Sequence, residues 1–170
     1  MDSLKYIQNY SQNVKNQVLS LIKEDKLALH LKSKYSLSHS MKTDKALFNY
    51  VNELKQTHMK NAPTLSKALY DGKISVIHNA LGTHHIISRV QGNKLKSKNE
   101  IRIASMFKSV PEEFLEMIVV HELAHFKQKE HNKAFYSLCL HMQPSYHQIE
   151  FDVRLYMTQM EIFGKIDEWN

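Results

Sequence analysis

The segment His121-Glu122-Leu123-Ala124-His125, followed by His131, constrains this chain more than any other part of it. It reads H-E-x-x-H-x5-H. On a helix, residues four apart lie one turn apart on the same face, so the imidazoles of His121 and His125 can reach one metal ion. Glu122 stands beside the first of them, where a carboxylate can take a proton from a metal-activated water. His131 is a candidate third ligand. Three protein ligands leave a fourth position open to water, which separates a catalytic zinc site from a closed structural one. The chain holds 11 His in 170 residues, so accident has to be weighed. Chance alone should produce this spacing roughly 0.003 times in such a chain.

The surroundings of the motif point the same way. Phe114-Leu115-Glu116-Met117-Ile118-Val119-Val120 precede it, and Leu123, Ala124 and Phe126 lie within or beside it. A helix apolar on nearly all sides is a buried helix. Imidazoles and a carboxylate buried there need a partner, which a cation would supply. Ser109-Val110-Pro111-Glu112 reads as a capping box with proline in the first turn, and Glu112 and Glu113 fall near the positive end of the dipole. The pattern predicts a motif helix over residues 110–129.

Elsewhere the chain is helical, then extended, then helical. Leu4, Ile7, Val14, Val18, Leu21 and Ile22 recur at helical spacing, a second helix is expected over 25–34, and a third over 43–60 with Thr43 or Asp44 as its cap. Asn61-Ala62-Pro63 ends it. After the Asp71-Gly72 turn come three expected strands, Ile74-Ser75-Val76-Ile77, His85 to Val90 and Glu100 to Ala104, joined by turns at Asn79 to Gly82 and Gln91-Gly92-Asn93. Two helices should close the chain, from Asn132 to Met142 and over 145–163. The expected architecture is one α+β domain over 1–170, with a helical N-terminal part over 1–70 and a catalytic core over 71–170. Its sheet of about three antiparallel strands would pack on the motif helix.

Composition narrows the setting. No apolar stretch approaches the roughly 18 residues of a membrane span, and Met1-Asp2-Ser3-Leu4-Lys5-Tyr6 shows no secretory signal. Cys139 is the single cysteine and lies in an apolar run, so it reads as a core residue. A reduced, cytoplasmic setting without a membrane partner is expected. The net charge of +6 suits a nucleic acid, a nucleotide or an acidic protein as partner without selecting one.

The order of Ile101-Arg102-Ile103, Pro111, the apolar helix, Val120 to His125, His131 and Phe135 resembles the YgjP-like metal-dependent hydrolases. These are relatives of the SprT and WLM metallopeptidases in the zincin superfamily. His131-Asn132-Lys133-Ala134-Phe135 is similar to the family's H-[SN]-x-x-F segment, whose His is a metal ligand. The resemblance covers about residues 73–145 and leaves the N-terminal helices outside it, as a lineage-specific addition. It implies a zincin-like core, a zinc ion on His121, His125 and His131, and Glu122 as general base. The group is named for metallopeptidases, and nucleotide pyrophosphohydrolase activity is also attached to it. Metzincins share the spacing but place a glycine where this chain has Gln128, so the turn that delivers His131 must be made differently, across Lys129-Glu130.

Other residues are candidates for contact with substrate or transition state. Tyr146 and His147 follow the motif closely enough to fold back over a metal. Glu150 and Asp152 could orient a ligand histidine. Arg89 and Lys96, with Lys94, Lys98 and Arg102, form a basic run that could grip phosphates. His30, His39, His58, His78 and His141 have no ligand spacing. Three functions stay open: a zinc-dependent metallopeptidase acting on protein or peptide, a zinc-dependent nucleoside triphosphate pyrophosphohydrolase, and a non-enzymatic nucleic-acid-binding protein with a structural metal. Three imidazoles suit zinc, although other divalent transition metals also bind such sites.

Overall fold

In the computed structural model the backbone is described for residues 4–74, 82–91, 94–166 and 168–169, and side chains for 4–74, 99–166 and 168–169. A short 3-10 turn at Lys5–Ile7 leads into α1 (Gln12–Lys23) and α2 (Leu27–Lys34). Ser11 caps α1 by accepting from the Val14 amide. Between the two helices Asp25 adopts φ 52°. The Lys26 amide bonds back to Leu21 O at 2.9 Å and the Asp25 amide to Ile22 O at 3.1 Å. That pairing is a Schellman stop, with a left-handed residue reversing the chain.

Helix α3 (Asp44–His58) starts at Thr43, whose hydroxyl accepts from Ala46 N as its sequence position suggested. Strand β1 (Leu65–Asp71) follows, ahead of the Asp71-Gly72 turn rather than after it. Strands β2 (Gly82–Gln91) and β3 (Lys94–Ala104) form the rest of the sheet. Of the strand expected at Ile74 to Ile77, Ile74 lies in no strand and the other residues fall outside the described part, as do 79–81 and 92–93 of the expected turns.

The expectation of an all-antiparallel sheet is corrected. The strand order is β1-β3-β2, with β1 parallel to β3 from Leu65↔Asn99 to Asp71↔Ala104, and β2 antiparallel to β3 from Gly82↔Ile103 to Gln91↔Lys94. Two chain reversals lie between β1 and β3, so β3 returns to the direction of β1 and enters between it and β2. β1 and β2, consecutive in sequence, are thus not neighbours in the sheet. The sheet takes one strand from Leu65–Asp71, ahead of the Asp71-Gly72 turn, and two from beyond it.

Helix α4 (Glu112–Ala124) buries Phe114, Leu115, Met117, Ile118, Val119, Val120, Glu122, Leu123 and Ala124. It packs against the sheet, α5 (Lys133–Met142) and α6 (Tyr146–Ile162). Its expected capping box is absent. Ser109 closes a 3-10 turn instead, and Pro111 sits at the cap with no side-chain bond. The chain before the helix is held by the Ser38↔Pro111 bridge and by the His39 amide, 3.1 Å from Val110 O. Across the back of α6, buried Asp152 accepts from Lys34 Nζ at 2.5 Å and Tyr35 Oη at 2.6 Å. Arg154 Nη1 donates to Tyr6 O at 3.1 Å. No helix of the described residues is long and apolar enough to cross a membrane.

Candidate metal centre

Helix α4 ends inside the motif. Ala124 is its last residue and His125 its C-cap, five residues short of the expected 129. The chain then tightens: Phe126 N bonds to Leu123 O at 3.0 Å, and Lys127 N and Gln128 N bond to Ala124 O at 3.1 and 3.0 Å. These short-range bonds satisfy the last helical carbonyls and turn the backbone off the helix axis. Among described non-glycine residues only Asp25 has positive φ, so Gln128 completes the turn without the backbone freedom of glycine. The turning therefore begins at Phe126, before Lys129-Glu130. Asn132 next caps α5 by accepting from Phe135 N at 2.9 Å, and His131 hangs just ahead of that cap.

The outcome is three imidazoles in one cluster. His121, His125 and His131 each offer a nitrogen, all within 4.8 Å of one another. The ring centroids are 5.0 Å apart for His121–His125 and 4.9 Å for each of the other two pairs. The buried ring of Phe135 touches all three, at 4.9, 4.7 and 4.7 Å, and forms their floor. His125 Nε2 and His131 Nε2 face each other at 3.1 Å. Two nitrogens on one tetrahedral zinc stand about 3.3 Å apart, so the donor set fits such an ion. His131 is exposed and leaves the cluster open on one side.

Each helix-borne imidazole is held from behind. His125 Nδ1 donates to Gln128 O at 3.0 Å, which leaves the lone pair on Nε2. His121 Nδ1 lies 2.7 Å from Tyr146 Oη. Burial, followed by the neighbouring His125 and His131, lowers the His121 pKa to about 3, and burial also lowers His125. Both rings are therefore neutral donors at physiological pH. Glu122 is 3% exposed, and burial alone pushes its carboxyl up to about 8.

The remaining sequence candidates separate. Tyr146 is fully buried and stands behind His121, so it lies in the wall of the cluster instead of folding over it. His147 is exposed, with Nδ1 at 4.0 Å from Glu150 Oε2 and its ring against Tyr136. Neither Glu150 nor Asp152 orients a ligand histidine: Glu150 holds Arg154, and Asp152 holds Lys34 and Tyr35. Arg89 pairs with Lys96 in the β2–β3 register, and their side chains lie outside the described residues. Arg102 is already committed to Asp71 and Glu100, at 3.0 and 2.7 Å. His39 is structural, lying 2.6 Å from Phe107 O and accepting from Met41 N. The Gln128 carbonyl and the Phe135 floor were not assigned roles from sequence. Phe135 had a signal, since His131 and Phe135 are four apart in the H-[SN]-x-x-F segment.

A family model for the YgjP-like metallopeptidase domain matches residues 4–155. The chain belongs to the YgjP-like family. The YgjP-like match reaches beyond residues 73–145 and takes in the N-terminal helices, which are thus part of the family's domain rather than an addition to it. Membership gives the coarse class, a metal-dependent hydrolase. A UTP pyrophosphatase of Escherichia coli (strain K12) is 54% identical over 162 residues, covering 95% of this YgjP-like chain and 97% of the relative. No solved structure matches it.

Proposed function

We propose that this protein is a metal-dependent hydrolase of nucleoside triphosphates that releases pyrophosphate, with UTP as the first substrate to test. The carrying observation is the 54% identity to a UTP pyrophosphatase over nearly the full length of both chains. This reorders the readings open from sequence, in which a peptidase came first.

His121, His125 and His131 would hold the ion. Bound there, it would supply Lewis acidity and an activated water. Glu122 would take the proton of the attacking water, since the nearby cation would favour its ionised form over the burial that raises its carboxyl to about 8 in the metal-free protein. The hydrogen-bond partners behind His121 and His125 are a tyrosine hydroxyl and a peptide carbonyl, both neutral. Among the described residues no carboxylate hydrogen-bonds either ring, so apart from Glu122 the charge of a divalent cation is not offset from that side, which favours an anionic substrate such as a triphosphate. Zinc is the proposed metal on its preference for imidazole, and a reducing, cytoplasmic setting is proposed from the single buried cysteine.

A metallopeptidase remains the second reading, because the matched family is described by that activity. A structural metal in a nucleic-acid-binding protein has less support, since the cluster found among the described residues has three donors and an exposed side. The test is to incubate zinc-loaded protein and its Glu122→Gln variant with UTP, other nucleoside triphosphates and casein. Pyrophosphate release should fall by roughly 10²–10⁴-fold in the variant. Glu122-dependent casein cleavage without pyrophosphate release would overturn the proposal in favour of the second reading.

A further inference from the structure

We propose that Tyr146 is a positioning residue of the metal centre: its buried hydroxyl fixes the His121 ring in the tautomer that leaves Nε2 for the ion, and Cys139 holds that hydroxyl in turn. The inference rests on the metal centre proposed above but not on its substrate.

Tyr146 is the first residue of α6, set by the turn in which its amide bonds to Gln143 O at 2.9 Å. Its ring lies nearly parallel to that of His121, at 19°, with Oη 2.7 Å from Nδ1. The hydroxyl also contacts the Cys139 thiol on α5. A phenol can accept one hydrogen bond while donating another. Oη therefore accepts the Nδ1 proton of His121 and turns its own proton toward Cys139 Sγ. With Nδ1 protonated, the lone pair of the neutral imidazole is on Nε2.

Ring packing alone would not need the oxygen. A buried hydroxyl is costly unless it is bonded, and Tyr146 is fully buried. Ligand histidines are commonly oriented by a carboxylate. Here the chain places a neutral phenol and then a thiol, so His121 is oriented without adding negative charge. It also assigns the lone cysteine a place, as the end of a chain of hydrogen bonds across α4, α5 and α6.

Zinc affinity, measured by competition with a chromophoric chelator, tests this on the full-length protein. Tyr146→Phe keeps the ring and should weaken zinc binding roughly 10–100-fold. Cys139→Ala should weaken it less, and the double variant should match Tyr146→Phe alone, because the thiol acts only through the hydroxyl. Nitrogen NMR of the zinc-bound wild type should show His121 protonated at Nδ1. Wild-type affinity in Tyr146→Phe, additive losses in the double variant, or a His121 proton on Nε2 would each overturn the assignment. A wild-type protein that takes up no zinc would instead overturn the metal centre itself. Failure to hydrolyse UTP would touch only the proposed function.

Discussion

A carboxyl buried beside a ligand position makes the metal-free protein sensitive to pH in a definite direction. Glu122 has its folded pKa raised from 4.5 to about 8, so between those values the folded state keeps a proton that the unfolded chain has lost. Stability from this group is full below about 4.5 and is lost as pH rises toward 8. His121 works oppositely: its pKa falls from 6.5 to about 3, so stability is lost as pH falls through that window. In metal-free Glu122→Gln the first slope should vanish while the second stays. Urea unfolding from pH 5 to 8 should show the variant gaining on the wild type by up to about 1.4 kcal/mol per pH unit. A constant gap would contradict the burial assigned to Glu122. The cluster's histidines were legible in the sequence because their spacing along the chain brings them together. Tyr146 as the partner of His121 was not, since 25 residues separate the two and only the packing of α6 on α4 joins them.

The helices announced themselves through apolar periodicity and caps, and α3 and α5 begin where Thr43 and Asn132 accept from the amides three residues on, Ala46 and Phe135. Strand β1 did not, because Leu65-Ser66-Lys67-Ala68-Leu69-Tyr70-Asp71 contains no β-branched residue and its identity comes from pairing with β3. The early end of α4 was equally hidden, being made by bonds to Leu123 O and Ala124 O that no residue type marks. Two caps give a matched experiment. Asn132→Ala and Thr43→Ala should each destabilise by about 1 kcal/mol in urea, but only Asn132→Ala should weaken zinc binding, because His131 precedes that cap. Equal affinities in both variants would separate the cap from the centre. At the stop between α1 and α2, Asp25→Gly should stabilise by roughly 0.5–1 kcal/mol by relieving a left-handed conformation, and Asp25→Val should destabilise.

Over the whole molecule, bound metal should act as a stabilising ligand. At a free zinc concentration 100 times its Kd, the gain is about 2.7 kcal/mol. Chelation should therefore lower the melting temperature of the wild type and leave that of His121→Ala nearly unchanged. The ties that close the fold are long in sequence: Tyr6 to Arg154 spans 148 residues, Lys34 to Asp152 118, and Tyr35 to Asp152 117. Residues 71–170 expressed alone lose all of β1 but Asp71, together with Tyr6, Lys34 and Tyr35, and should show no cooperative unfolding transition by calorimetry. These contacts could not be read from sequence, where Asp152 stands only as a residue that could orient a ligand histidine. They also give synthesis an order. As the chain leaves the ribosome, α1, α2 and β1 emerge early and stay without their partners until β3 and α6 follow. The nascent N-terminal half thus waits with apolar surface uncovered, so the speed of translation and the chaperones that shield that surface bear on how much active protein a cell obtains.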